Sequence, residues 1–444
     1  MKKININPLD RSNSHLRRYF EGKSFLIVDP SNTIRPIIKK LMIELKAEQI
    51  NKVPETFAEY EDIINSTCPY YIFSTQNFKN KSVEPLVNLH TQIRPDRMNS
   101  GFYVITDNNS MASASSKIDS EIDAVISAPF TKQSVYKTLF QSFNKKAKPS
   151  EYDKLVNEGR KSFFEEDFET ATQPLREAKF LGKKPVLAHY YLGLIEFKNK
   201  NFDQAIGCFE QALMIKQDHY RSLNRYLESA LKINNLKKAY SAASTILDHY
   251  PIPADKIPTF IKLSVANQKY EDIFRYAELF TDLEERNDDL HKHIAAGLAI
   301  CGKYFLKAND LKKGKEILVK ASEMARGNFQ IIQTVCLTLI SHKITCTVDE
   351  IMLRVGEYHE FSEEYKVFEF EIFSYYGKPA KIVQEGLNYI QKGVKTPRIY
   401  EAVIKASIDI ERKKDLIEDI VIEAKKAFPE HGNKYERMLK NISY

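Results

Sequence analysis

The chain has 444 residues, 43% of them hydrophobic and 28% charged, with a formal net charge of +7. That length suggests two or three domains, or one domain followed by a repeat array. No apolar run approaches the ~20 residues of a membrane span, and the net charge is too mild for a dedicated nucleic-acid binder. The N-terminus, MKKININPLDRSNSHLRRYF, lacks the apolar core of a secretory signal, so a cytoplasmic location is expected. Cys68, Cys208, Cys301, Cys336 and Cys346 are odd in number, widely scattered and form no CxxC. The expectation is reduced cysteines, with no disulfide framework, no structural zinc and no cofactor.

Short apolar runs alternate with amphipathic stretches up to about residue 143. FLIV (25–28) precedes IRPIIKKLMIEL (34–45), whose apolar positions 34, 37, 38, 41, 42 and 45 share one helical face. A weaker strand is predicted near Gln49 to Val53. YYIF (70–73) precedes VEPLVNLHTQI (83–93), GFYVIT (101–106) precedes an Ala/Ser-rich stretch, and DAVISAPF (123–130) precedes SVYKTLFQSF (134–143). Strand-helix alternation of this kind predicts a five-stranded parallel sheet, compatible with the flavodoxin-like doubly wound order. Next, FNKKAKPSEYD (143–153) is polar, basic and holds a proline; a linker is expected over 144–152.

From 153 to 444 only amphipathic helices are predicted, and they repeat. EGRKSFFEEDFETATQPLREAKF (158–180) aligns with LGLIEFKNKNFDQAIGCFEQALM (192–214) at an offset of 34. Gly159 meets Gly193, Phe168 meets Phe202, Ala171 meets Ala205 and Ala178 meets Ala212. A third copy (226–247) places Leu236 and Ala239 in phase, and a fourth keeps Tyr270. A fifth (301–324) restores Gly302, Leu311 and Ala321 after an insertion around TDLEERNDDLHK. Beyond it the signal decays, although helix pairs at 363–391 and 398–427 fit the plan. This period and its small and aromatic positions resemble the tetratricopeptide repeat, and imply an all-α superhelix in which stacked pairs share one core.

KSFLIVDPSNTIRPIIKKLMIEL, YVITDN and DAVISAPFT resemble the receiver domain of two-component response regulators over residues 22–143. The resemblance implies a site of two acids at strand 1, an acceptor Asp at strand 3, a hydroxyl at strand 4 and a Lys-Pro pair at strand 5. This sequence keeps Asp29, Thr106 and Pro129 but has Pro30 for the second acid, Ser74 for the acceptor and Ala128 for the lysine. A register slip of one would make Thr75 the acceptor position. A hydroxyl without an activating base is a poor acceptor, so aspartyl phosphorylation is not expected, and no metal site. The domain is then either a cap for the helical array or a pseudo-receiver that binds partners through its output face.

The repeat resemblance places groove-facing positions at Arg160, Phe164, Tyr190, Lys198, Arg221, Asn224, Lys232, Lys303 and Lys307. Their basic, aromatic character would suit an acidic or carboxyl-terminated protein segment. The expected function is a non-catalytic signalling adaptor. The alternative is a response regulator switched by atypical phosphorylation or a small ligand. A hidden enzyme is disfavoured, since His291 and His293 lie on different helix faces and no Gly-rich loop or Ser/His/Asp arrangement stands out.

Overall fold

The computed structural model describes residues 8–29, 33–75, 77–78, 81–106, 121–250, 252, 254–281, 288–359 and 362–440. The chain forms two compact units, Met1–Pro253 and Ala254–Tyr444.

The first unit opens with α1 (Pro8–Phe20), β1 (Ser24–Val28), α2 (Ile34–Glu44), β2 (Glu48–Gln49), α3 (Phe57–Thr67) and β3 (Tyr71–Thr75). A two-residue hairpin, β4 (Asn77–Phe78) and β5 (Lys81–Ser82), leads to α4 (Glu84–Ile93), β6 (Gly101–Thr106), β7 (Ala124–Ser127) and α5 (Lys132–Ala147). Five strands form one parallel sheet in the order β2-β1-β3-β6-β7. Its central strands carry unbroken apolar runs, 25–28, 71–73 and 102–105, because both faces are covered. Phe25, Ile27, Tyr71, Phe73, Tyr103 and Ile105 pack with residues of α1, α2 and α5. Leu26, Val28, Ile72, Phe102 and Val104 pack with Tyr60, Ile64, Leu86 and Val87 of α3 and α4.

Sequence reading missed α1, where Leu16 and Phe20 are fully buried in the first of these layers. Each contributes roughly 1.5–3 kcal/mol of apolar burial, so the folded body begins well before residue 22. The predicted weak strand exists only as Glu48–Gln49, beside Ser24 and Phe25 of β1. The segment 144–152 is mostly helical rather than a linker. Helix α5 continues to Ala147, and Ser150 caps the next helix in a reciprocal pair with Asp153.

Three helix pairs complete the first unit: α6 (Glu151–Phe164) with α7 (Phe168–Leu181), α8 (Val186–Lys198) with α9 (Phe202–Ile215), and α10 (Tyr220–Lys232) with α11 (Leu236–His249). The small residues have the expected purpose. A Cβ on Gly159 would lie 2.5 Å from Leu175, and one on Gly193 would lie 2.6 Å from Phe209. Only glycine lets the paired helices approach this closely.

The second unit is all helical: α12 (Ile257–Ala266), α13 (Tyr270–Thr281), α14 (Asp288–Lys307), α15 (Leu311–Met324), α16 (Phe329–Ser341), α17 (Thr345–Tyr358), α18 (Glu363–Phe373), α19 (Pro379–Gln391), α20 (Pro397–Asp409), α21 (Lys414–Ala427) and α22 (Gly432–Lys440). The backbone reveals the period further along the chain than the side chains do. Glu166, Lys200, Asn234 and Gln268, each 34 residues after the last, adopt left-handed φ values of 55° to 63° in the turn between paired helices. Asn309, Lys343 and Glu411 are also left-handed, with φ of 51° to 66°, Lys343 lying 34 after Asn309 and Glu411 twice 34 after Lys343. Where the turn is followed by Asp167, Asn235 or Asp310, that side chain accepts a backbone N–H at 3.1 Å and starts the second helix. The insertion in the fifth copy is partly helical, since α14 runs for 20 residues.

Candidate functional site

The receiver-like positions gather at the carboxyl ends of the strands. Asp29 follows β1, Thr106 ends β6 opposite Ser127, and both are buried. Ala128 donates its N–H to the Thr106 carbonyl at 3.3 Å, and Pro129 is exposed beside it. Pro30 lies outside the described residues. Ser74 pairs with Val28 and Val104 and is fully buried. Strand alternation directs it to the Ile72 face, where it meets Tyr60, and its Oγ donates to the Thr75 carbonyl at 3.1 Å. Thr75, one residue on and half-buried, is therefore the strand-3 residue level with Asp29. Neither residue brings a carboxylate to the tip. Among the described residues, no group of three or more His, Cys, Asp and Glu is placed to hold a metal ion.

The densest charge chemistry of this unit lies at the opposite edge of the sheet, where β6 and β7 begin. Glu121 and Asp123 precede β7, Arg97 precedes β6, and Lys146 stands near the end of α5. Facing them are α6, α8 and α10, the first helices of the three pairs. Glu121 Oε1 accepts the Tyr191 hydroxyl at 2.8 Å and lies 3.3 Å from Arg160 Nε and 3.2 Å from Arg221 Nη1. The Glu121 side chain is 1% exposed, that of Arg160 5% and that of Arg221 4%. A carboxylate this deep persists only when paired and hydrogen-bonded, and three groups from three helices meet that requirement.

Arg97 ties this centre to the sheet. Its Nη2 donates to the Glu121 carbonyl at 2.9 Å and to Asp123 Oδ2 at 2.5 Å, while Nη1 donates to His90 Nδ1 at 2.8 Å. Since guanidinium only donates, His90 Nδ1 is an acceptor and its Nε2–H points to the Pro69 carbonyl at 3.1 Å. Burial, with the Arg97 charge beside it, holds His90 well below its ordinary pKa. Lys146 pairs with Asp123, and burial pushes its ammonium down to about 8 against that attraction. Asn157 of α6 accepts the Arg97 N–H at 2.9 Å and donates to Asp96 at 3.0 Å; Arg160 also reaches the Pro95 carbonyl at 3.3 Å. A cavity of 270 Å³ borders the network between Arg97, Lys146, Tyr152, Arg160 and Leu187. The arrangement binds a carboxylate and fixes one body against another; it presents no activated nucleophile.

Of the predicted groove positions, Arg160 and Arg221 converge on one group, and that group belongs to the chain itself. Tyr190 is buried, with its ring centre 4.7 Å from the Arg221 guanidinium. Phe164 is half-buried against Phe163 and Tyr191, and Asn224, also half-buried, donates to the Tyr220 carbonyl at 3.1 Å. Lys198 and Lys232 are exposed, as are Lys303 and Lys307 on α14 of the second unit. Sequence reasoning missed Glu121, Tyr191, Arg97, Asp123 and His90. The acids stand in DSEID (119–123), immediately before an apolar strand, which reads equally well as a solvated loop.

Residues 186–219, which span α8 and α9, match the family model described as the tetratricopeptide repeat. No curated protein matches the chain. Among solved structures, the chain is similar to a tetratricopeptide repeat protein from Parabacteroides merdae. The two share 14% identity over 66% of this chain and 99% of the other, with a TM-score of 0.29. MamA from Desulfovibrio magneticus shares 14% identity over 48% of this chain and 98% of its own, with a TM-score of 0.21. PilF of Pseudomonas aeruginosa shares 15% identity over 49% and 96% of the two chains, with a TM-score of 0.26.

Proposed function

We propose that the chain is a non-catalytic adaptor, in which a receiver-like domain without phosphoryl chemistry is held on a tetratricopeptide array that binds a protein partner. Helical repeats of this type present extended surfaces for proteins rather than reaction centres. The receiver-type, flavodoxin-like assignment is supported by the strand order β2-β1-β3-β6-β7, the doubly wound 2-1-3-4-5 pattern. The absent chemistry is supported by Ser74, Thr75 and Ala128 standing where an acceptor and a lysine would be needed.

The observation that carries the reading is Glu121 in the grip of Arg160, Tyr191 and Arg221. It makes the receiver-like domain the occupant of the first three pairs, so the acidic ligand suggested by their basic residues is supplied within the chain. Partner binding then falls to the remaining helical surfaces. The test is affinity capture with the full chain at near-physiological salt. A protein partner recovered in fixed stoichiometry is expected, and recovery of none contradicts the reading.

Asp29 and Thr106, at the carboxyl ends of β1 and β6 on either side of β3, favour one second reading, a switch by atypical phosphorylation or a small ligand. A phosphoryl-sized mass increase after treatment with a phosphodonor and Mg²⁺ would select it.

A further inference from the structure

The second unit carries a concave site between α17 and α19, the second helices of two successive pairs, with α18 beneath. Its volume is 470 Å³. The walls are aromatic: Phe370 and Tyr389 meet edge to face at 5.5 Å, and Phe373 and Tyr376 at 5.8 Å. Leu353 stands on the rim with 61% of its surface exposed, above the buried Met352.

The polar groups of this site are mostly acidic. Asp349, Glu369 and Glu385 line it against one cation, Lys381, whose Nζ sits 5.9 Å from the Phe373 ring centre. Glu369 accepts the Tyr365 hydroxyl at 3.3 Å, and Asp349 accepts that of Tyr376. Among the described residues, neither Glu369 nor Glu385 forms an ion pair, although both are half-buried. Burial raises the Glu369 pKa, the Tyr365 hydrogen bond opposes it, and the Glu385 charge adds to the rise. These carboxylates have lost part of their hydration and gained no cation in exchange.

We infer that this site docks a cationic segment of the protein partner, seating an arginine or lysine between the aromatic walls with an adjacent apolar side chain on Leu353. A guanidinium suits both features, since it stacks on aromatic faces and pairs with a carboxylate through two N–H donors. An acidic segment is disfavoured by the same charges. The inference rests on the adaptor reading and assigns its partner a chemistry.

The test is fluorescence anisotropy of the full chain with a short fluorescent peptide of alternating arginine and leucine, beside a counterpart with glutamate for arginine. The arginine peptide is expected to bind and the glutamate peptide not. Glu369→Gln with Glu385→Gln should weaken binding about tenfold or more, the scale of a charge-assisted hydrogen bond. The exposed Lys381→Glu should tighten it, and this variant decides the matter if the double variant melts early. Equal binding of the two peptides, or binding indifferent to both variants, overturns the inference. Full displacement by spermidine, with no contribution from leucine, also overturns it, in favour of a polyamine site. If a captured partner binds these variants as well as the wild type, only this site is lost. If nothing is captured at all, the adaptor reading falls independently of the peptide result.

Discussion

Replacing Glu121 with alanine leaves the Arg160 and Arg221 guanidiniums and the Tyr191 hydroxyl facing each other in a buried site, and removes a longer pair with Arg97 at 3.9 Å. At 3.2 and 3.3 Å, and with an effective dielectric constant of about 20, each lost attraction amounts to roughly 5 kcal/mol before desolvation is counted. Stranding the partner of a buried pair has a net cost of about 3–5 kcal/mol. Arg160 keeps its contacts with Pro95 and Asn157, which favours the lower end. For a body of this size the loss corresponds to a fall in Tm of roughly 6–20 °C. The two units need not unfold together, so the appropriate assay is peptide-resolved hydrogen exchange in the full chain. Protection should fall in α6, α8 and α10 and persist in α12 to α21. A compensated variant, Glu121→Leu with Arg160→Met and Arg221→Met, removes the two guanidiniums left facing each other, while Arg97 keeps Asp123, and should recover most of the loss. Glu121→Ala within about 1 kcal/mol of wild type, on the same scale, would refute the reasoning.

Three further outcomes are expected. His90 resists protonation in the folded chain, whereas the unfolded chain takes up that proton below about pH 6.5. Stability is therefore lost as pH falls below that value, by at most about 1.4 kcal/mol per pH unit, and denaturation from pH 7 to 5 should show a shallower slope in His90→Asn. Gly159→Ala and Gly193→Ala press a methyl group against Leu175 and Phe209 and should each cost roughly 1–3 kcal/mol, measured by urea denaturation. Ser74→Asp places a carboxylate against Tyr60 with no exposure; it should lower Tm and confer no phosphoryl acceptance, as read by intact mass.

The repeats were legible because their signal is local. Gly159 and Gly193 are required by neighbours within the same helix pair, so their spacing survives in the sequence. The later pairs were harder to see because their period is kept by left-handed turns at Lys343 and Glu411, and several residue types can occupy such a turn. The strands were legible for a similar reason, as apolar runs covered on both faces. Helix α1 was missed because its two core residues, Leu16 and Phe20, one turn apart on a single face, sit in a stretch that is otherwise mostly polar. The Glu121 centre depends on residues 97, 121, 160, 191 and 221, brought together by the docking of a sheet edge on three helices. No periodicity encodes such a contact. Arg160 and Arg221 were found from their repeat positions, while the group they hold was not.

The most direct test of the account is native mass spectrometry of the complex captured by the full chain, with and without a phosphodonor and Mg²⁺. The account predicts one protein partner at a fixed stoichiometry, with the mass of this chain and the amount of complex unchanged by the treatment. No bound partner, or a partner that appears only when this chain has gained a phosphoryl group, would contradict it.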